Sequence, residues 1–420
     1  MIVHISANQF SGTVAAPSSK SYAHRMLICA SLSDGPSDIF CSTISADIQA
    51  TINCLEALGA EITICRDRIA VSPLDKDSAR NRECMLDCGE SGTTFRFLLP
   101  IICALGCKAK FLLHGRLAER PILPLMEELS AHGAKFILQD KSTLLAEGPL
   151  SNTDFKIDGG ISSQFISGLL MTLPLCGGGN IHVMGEIQSS PYVAITVDCL
   201  LKAGLDVAVD NNDFSVRGEY KAKRWNVEGD WSNAAFWLCA GAFAENSVSV
   251  SGLNRGSLQG DRRIVELLAQ FGAKIDSSGD LITIYPQDLH SIDIDAKNIP
   301  DLIPALCVCA SAAKGETIIY NAERLRYKES DRLMAAAEVI RLLGGKIEEF
   351  SDGLTIRGDP GFHNADVDAW NDHRIAMMAS IAAIRSKNGV TLHGAECVKK
   401  SYPRFFKDYQ ILGGNIERMD

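Results

Sequence analysis

Six times along the chain an apolar helical run ends at a glycine and gives way to a short stretch in which apolar and polar residues alternate. The six passages are residues 55–64, 126–136, 199–207, 267–275, 341–347 and 409–416. Glycine readily takes the left-handed conformation that closes a helix, and alternation marks a strand with one buried face. In residues 274–284 a second alternating segment follows across Ser278, Gly279 and Asp280, which reads as a hairpin. The passages recur about every 70 residues, too long for a solenoid repeat and suited to one supersecondary module. Six modules predict an α/β protein of two similar halves, three modules to each.

Helix starts are marked by hydroxyl and Asx residues. Ser18 and Ser19 stand before the run to Leu32, and Ser162 and Ser163 before the run to Leu173. Ser189 and Ser190, with Pro191, precede the run to Ala203; Asn371 and Asp372 precede the run to Ile384. Such starts present free N–H groups and the positive end of the helix dipole, so they also suit anions.

Cations stand at several of these starts, where the dipole disfavours them unless an anion joins them. Lys20 opens the first, with Ser21 and Arg25 four apart on one face. Arg120 lies just ahead of a helix expected to begin at Pro121, and Arg374 falls in the first turn after Asp372. Lys328 and Arg332 are four apart, with Glu329 beside them, in a cluster expected to open a helix; Lys400 precedes the last helix. Residues 88–96 form a glycine-bearing loop with Gly92, Thr93 and Thr94, entering a helix expected over 95–104. Asp301 precedes the apolar run 305–313 and serves either as a helix-start charge or, in an anion-crowded site, as a general base. A solvated charged face accounts for any one of these singly. Their recurrence asks for several bound anionic groups.

Composition narrows the classes. At 420 residues the chain can hold two or more domains, and 46% apolar with 22% charged residues is ordinary for a soluble globular protein. A net charge of −10 argues against nucleic acid or an anionic membrane as partner, though not against small anions. The start of the chain lacks a signal-peptide pattern, and no apolar stretch is long enough to span a bilayer. The 14 cysteines lack paired zinc-site spacing and the 9 histidines do not cluster, so reduced thiols, a cytoplasmic location and no bound metal are expected.

As an ordered set, these residues resemble the 5-enolpyruvylshikimate-3-phosphate synthase family of enolpyruvyl transferases. The residues that carry the likeness are Lys20, Ser21 and Arg25; Gly92 and Thr93; Glu119, Arg120 and Pro121; and Ser162, Ser163 and Gln164. The set continues through Lys328, Glu329, Asp331 and Arg332 to Asn371, Asp372, His373, Arg374 and Lys400, spanning about residue 10 to about residue 405. The resemblance implies a two-domain enolpyruvyl transferase fold, each domain three βαβαββ repeats in an inverse α/β barrel-like arrangement. It implies a first domain of residues 1–17 and 226–420, a second of 18–225, and a site in the cleft where they close.

Carried over by position, shikimate 3-phosphate is expected at Lys20, Ser21, Arg25, Ser162, Ser163, Gln164, Ser189, Tyr192, Asp301 and Lys328. Phosphoenolpyruvate is expected at Lys20, Gly92, Thr93, Arg120, Gln164, Arg332, Arg374 and Lys400. Asp301 and Glu329, with Lys20 assisting, would move protons, and no cofactor or metal is called for. The family also implies a monomer whose partners are its two small substrates. Three positions depart from the pattern: Glu90 where many members carry asparagine, Phe97 where some carry proline, and Arg324 where one branch has a substrate-contacting asparagine. The sister family that uses a UDP-sugar typically carries a reactive cysteine in the loop that here reads 116–120 and holds none.

Overall fold

The computed structural model describes residues 1–420 apart from Asn8, Asn81, Asp359, Pro360 and Asp420. Each glycine-terminated helix is followed by the expected strand. Helix Ala46–Leu58, for example, closes at Gly59 (φ 109°) and strand Glu61–Cys65 begins two residues later. Five of these strands then turn into an antiparallel neighbour, as in Lys274–Ser278 with Leu281–Tyr285, and the last, Gly414–Arg418, pairs antiparallel with Ile2–Ala7.

The strands form six four-stranded sheets of one plan. In the module built on Glu83–Asp87, that strand runs parallel to Lys108–Leu112 across helix Gly92–Leu105. Lys108–Leu112 then pairs antiparallel with Thr143–Glu147, whose outer partner is Lys135–Asp140. Three modules are completed by distant chain. Gly12–Ala15 pairs parallel with Val248–Ser251, and Ile2–Ala7 sits between Val390–His393 and Gly414–Arg418. The N-terminal segment therefore belongs with the C-terminal half. Strand Arg224–Asn226 joins Ser37–Phe40 in the first sheet of the other half.

The chain divides into two compact units, Met1–Pro17 with Glu228–Asp420, and Ser18–Val227. Each has its own apolar core. In the first, helices Trp231–Phe243, Ile303–Ala312 and His373–Ala382 pack on one another and are buried nearly all round. Helices apolar on every side belong in the interior, while strands such as Lys135–Asp140 and Glu61–Cys65 leave most of their residues exposed. In the other unit helices Lys20–Ser31, Gly92–Leu105 and Ser163–Thr172 are buried in the same way, and the starts of these helices carry candidate residues.

Three local expectations differ. The helix predicted over 95–104 starts at Gly92, because Ser91 Oγ accepts the Thr94 N–H at 3.2 Å and caps it three residues early. Pro121 does not start a helix; a 3-10 turn, Gly115–Glu119, intervenes and the helix is Leu123–Ala131. Lys328 and Glu329 lie before the helix Arg332–Leu342, which begins only where Asp331 accepts the Met334 N–H, so Lys328 and Arg332 do not share a helical face.

Candidate active site

In the unit of residues 18–227, Lys20 is the first residue of helix Lys20–Ser31, which has no acidic residue in its first turn. The compensating charge comes from the next helix, where Asp47 Oδ2 lies 2.7 Å from Lys20 Nζ. One turn on, Arg25 faces inward. Its Nε donates to Thr196 Oγ1 at 2.7 Å, Nη1 to the Ser21 carbonyl at 2.7 Å, and Nη2 to the Tyr192 carbonyl at 2.9 Å. Burial draws its pKa down to about 10, and its guanidinium lies 4.9 Å from the centre of the Phe97 ring. Arg25 thus ties Ser21, in the first turn, to the start of helix Ser190–Lys202. There Tyr192 follows Ser189, a non-glycine residue held at φ 54° as the N-cap.

Gly92 shows why no side chain stands there. A Cβ would come within 2.7 Å of Arg120 Nη1, so that guanidinium rests on the first turn of helix Gly92–Leu105. Beside it, Gln164 Nε2 donates to Thr93 Oγ1 at 2.9 Å. Ser162 caps helix Ser163–Thr172 and accepts the Gln164 N–H at 3.3 Å. Gly92, Thr93, Arg120, Ser162, Ser163 and Gln164 come from three separate segments, and the fold gathers them.

In the unit of residues 1–17 and 228–420 the centre is Asp301. It is not the cap of helix Ile303–Ala312, a position taken by Leu302. Instead its carboxylate meets Arg332 Nη1 at 2.7 Å, Arg374 Nη2 at 3.0 Å and Lys328 Nζ at 3.6 Å. Arg332 also reaches Glu329 at 2.6 Å and Asp372 at 2.8 Å, and is itself 1% exposed. Burial opposes its charge, but Asp372, Glu329 and Asp301 together outweigh that and hold its pKa above the usual range. At Lys328 burial dominates and brings the pKa down to about 8. Asp372 caps helix His373–Ala382 by accepting the Arg374 N–H at 2.9 Å. Trp370 (φ 46°) and Asn371 (φ 52°) are both left-handed just before it, and the Asn371 carbonyl accepts from Lys400 Nζ. Backbone held in this region costs on the order of 1–3 kcal/mol per residue and persists where surroundings over-determine it.

Several residues that shape these sites were not singled out from sequence. Arg96 donates to Gln164 Oε1 at 2.7 Å and to the Pro121 carbonyl at 2.9 Å, orienting the amide that reaches Thr93. The signal was there: a lone guanidinium inside an apolar helix must be paired. Asp47, the partner of Lys20, had no such signal. Asp261 had none either, standing in the polar run Gly260–Arg263 yet only 2% exposed and bonded to Ser232. Among the described residues no group of three or more His, Cys, Asp or Glu is placed to hold a metal, and no helix is long and apolar enough to cross a membrane.

The architecture is shared with solved enolpyruvyl transferases. The EPSP synthase from Acinetobacter baumannii superposes with a TM-score of 0.82 at 22% identity, each chain covered in full (100%). The enolpyruvyl transferase NikO from Streptomyces tendae gives 0.77 at 18%, over 99% of this chain and 98% of its own. These likenesses set the fold, that of the α/β enolpyruvyl transferases. Sequence sets the family. The family model of EPSP synthase (3-phosphoshikimate 1-carboxyvinyltransferase) matches residues 6–409. The 3-phosphoshikimate 1-carboxyvinyltransferase of Clostridium perfringens (strain ATCC 13124) is 40% identical over 423 residues, 99% of each chain. That of Clostridioides difficile (strain 630) is 40% identical over 426 residues, 98% of this chain and 97% of its own. The chain belongs to the EPSP synthase family and has its carboxyvinyltransferase activity.

Proposed function

We propose that the residues gathered in the two units act on one pair of ligands, phosphoenolpyruvate as donor and shikimate 3-phosphate as acceptor, in the shikimate pathway. Support comes above all from the set around Asp301, where one carboxylate draws together Lys328, Arg332 and Arg374 from two segments. Cations held this way, with carboxylates they can exchange for substrate anions, suit a donor bearing both phosphate and carboxylate.

In this reading Lys20, Gly92, Thr93, Arg120, Gln164, Arg332, Arg374 and Lys400 hold the donor. Lys20, Ser21, Arg25, Ser162, Ser163, Gln164, Ser189, Tyr192, Asp301 and Lys328 hold the acceptor. The acceptor's 5-hydroxyl gives its proton to a carboxylate as its oxygen bonds to C2 of phosphoenolpyruvate, while C3 takes a proton from the protein and becomes a methyl group. The methyl then loses a proton, the C–O bond to phosphate breaks, and the vinyl ether forms. In this reading Asp301 and Glu329, assisted by Lys20, carry these transfers. The bond broken is C–O, so the protein's work is to stabilise charge developing on phosphate and carboxylate, a task for preorganised cations. A cytoplasmic monomer is part of the proposal, and light scattering of the purified enzyme tests the second term. The deciding assay is phosphate release from phosphoenolpyruvate with shikimate 3-phosphate set against UDP-N-acetylglucosamine. Release with the UDP-sugar alone overturns the acceptor assignment, and release with neither overturns the whole.

A further inference from the structure

His24 lies one turn after Lys20, is fully buried, and has no part in the chemistry above. It heads a chain of buried hydroxyls that crosses three helix segments. His24 Nδ1 is 2.6 Å from Thr51 Oγ1 on helix Ala46–Leu58. Thr51 Oγ1 is 2.6 Å from Thr94 Oγ1, and Thr94 Oγ1 donates to Ser91 Oγ at 2.7 Å. Ser91 is the cap that also accepts the Thr94 N–H and thereby starts the helix at Gly92. All four residues have no measurable exposure (0%), so water does not compete for these bonds.

The direction of the chain follows from counting hydrogens. A hydroxyl donates one. Thr94 gives its hydrogen to Ser91, so in the Thr51–Thr94 contact Thr51 must be the donor. Thr51 Oγ1 is then an acceptor toward His24, and Nδ1 must carry the ring hydrogen. Nε2 is left with a lone pair, and it is buried with no partner among the described residues. Burial, then Lys20 and Arg25, push the ring's pKa well below 6.5, which keeps it neutral as the chain requires. Lys20 in turn is paired with Asp47 on the helix that carries Thr51.

We propose that His24 is a positioning residue: locked as the Nδ1–H tautomer, it anchors a one-way hydroxyl chain that fixes the Ser91–Gly92–Thr93 turn relative to Lys20. This rests on the reading that Gly92 and Thr93 hold the donor. The chain sets where the first N–H groups of helix Gly92–Leu105 point, so its loss displaces donor contacts, while the acceptor residues Ser162, Ser163 and Ser189 stand at the starts of two other helices, the first of them capped by Ser162 itself.

The tautomer is tested without turnover. In protein labelled with nitrogen-15 at histidine, the ring signals absent from His24→Asn identify His24, and its directly bonded proton should sit on Nδ1. A proton on Nε2 overturns the proposal whatever the enzyme turns over. In the kinetic arm, Thr51→Val keeps shape and removes the middle link, while His24→Asn keeps an N–H donor near the Nδ1 position. Thr51→Val should raise the KM for phosphoenolpyruvate about ten-fold, as expected for a buried bond left unmade, with the KM for shikimate 3-phosphate changed less than two-fold. His24→Asn should fall closer to wild type than His24→Leu. Equal rises in both KM values, or His24→Asn matching His24→Leu, refute it. Wild-type enzyme without turnover would instead refute the functional reading and leave the tautomer result standing.

Discussion

Asp261 is the buried carboxyl whose protonation the fold controls most directly. It is 2% exposed, accepts from Ser232 Oγ through Oδ2, and has no partner for Oδ1 among the described residues. The Ser232 carbonyl in turn accepts from Arg374 Nη1 at 3.4 Å. Burial pushes Asp261 up to about 7; Asp301 and Asp230 add to this, while Arg374 and the Ser232 hydroxyl oppose it. A carboxyl raised this way is protonated in the fold over a range in which the unfolded chain is ionised. Its stabilising contribution is therefore complete below pH 3.8 and lost as pH rises toward 7. At about 1.4 kcal/mol per pH unit the interval is worth about 4 kcal/mol.

Asp261→Asn removes the titration and keeps an oxygen for Ser232. Its amide nitrogen falls where Oδ1 has no partner, a penalty of roughly 1–3 kcal/mol that does not vary with pH and cancels from the comparison. Thermal unfolding followed from pH 4.5 to 8 should show wild type losing ground to the variant up to pH 7 and then running parallel to it. At about 2–4 °C per kcal/mol for a unit of this size, the accumulated change is roughly 10 °C. Parallel curves throughout would show that Asp261 is ionised in the fold and that the burial argument fails.

Gly92→Ala should leave thermal stability within about 0.5 kcal/mol, since the group it meets is the mobile end of Arg120; it should raise the KM for phosphoenolpyruvate several-fold, and an unchanged donor KM would place Arg120 elsewhere in the working enzyme. Lys328, brought down to about 8 by burial, is partly neutral at pH 8.5, so binding of a phosphate dianion should take up protons there; calorimetry in two buffers of different ionisation enthalpy measures this, and no uptake refutes the contact. Glu329→Gln should keep ligand affinity while lowering kcat by orders of magnitude, because proton transfer is chemistry rather than positioning; near-normal turnover would remove Glu329 from the mechanism.

What the sequence made legible was whatever is local and repeated. The glycine after each helix and the alternation beyond it fix helix end and strand within about ten residues, and all six occur as read, five of them continuing into a hairpin. Helix starts were less secure because caps compete. Ser91 begins a helix three residues before the apolar run suggested it, and Asp331 rather than Lys328 begins another. Pairings between distant segments left little trace. Nothing around Asp47 announces Lys20, and nothing in the run Gly260–Arg263 announces that its aspartate turns inward to Ser232. The fate of Ile2–Ala7, which completes a sheet with Gly414–Arg418, likewise depends on which edge remains open once the other strands are placed.

The charges around Arg332 explain why this site can be both stable when empty and reactive when filled. Asp301, Glu329 and Asp372 stand against Lys328, Arg332 and Arg374, three formal charges of each sign. Unpaired buried cations would be destabilising by several kcal/mol each, and the carboxylates remove that penalty before any ligand arrives. The balance cannot survive ligand entry unchanged. A bound phosphate or carboxylate competes for the same guanidinium faces and makes the set net negative. Asp372 is held in place by its cap to the Arg374 N–H, by Arg332 and by Ser330. On the proposed reading the adjustment falls on Asp301 and Glu329, which swing away from their cations or accept a proton as the anion binds. A carboxylate that swings free then acts as base and one that takes a proton acts as acid, the two groups that the proposed addition step needs.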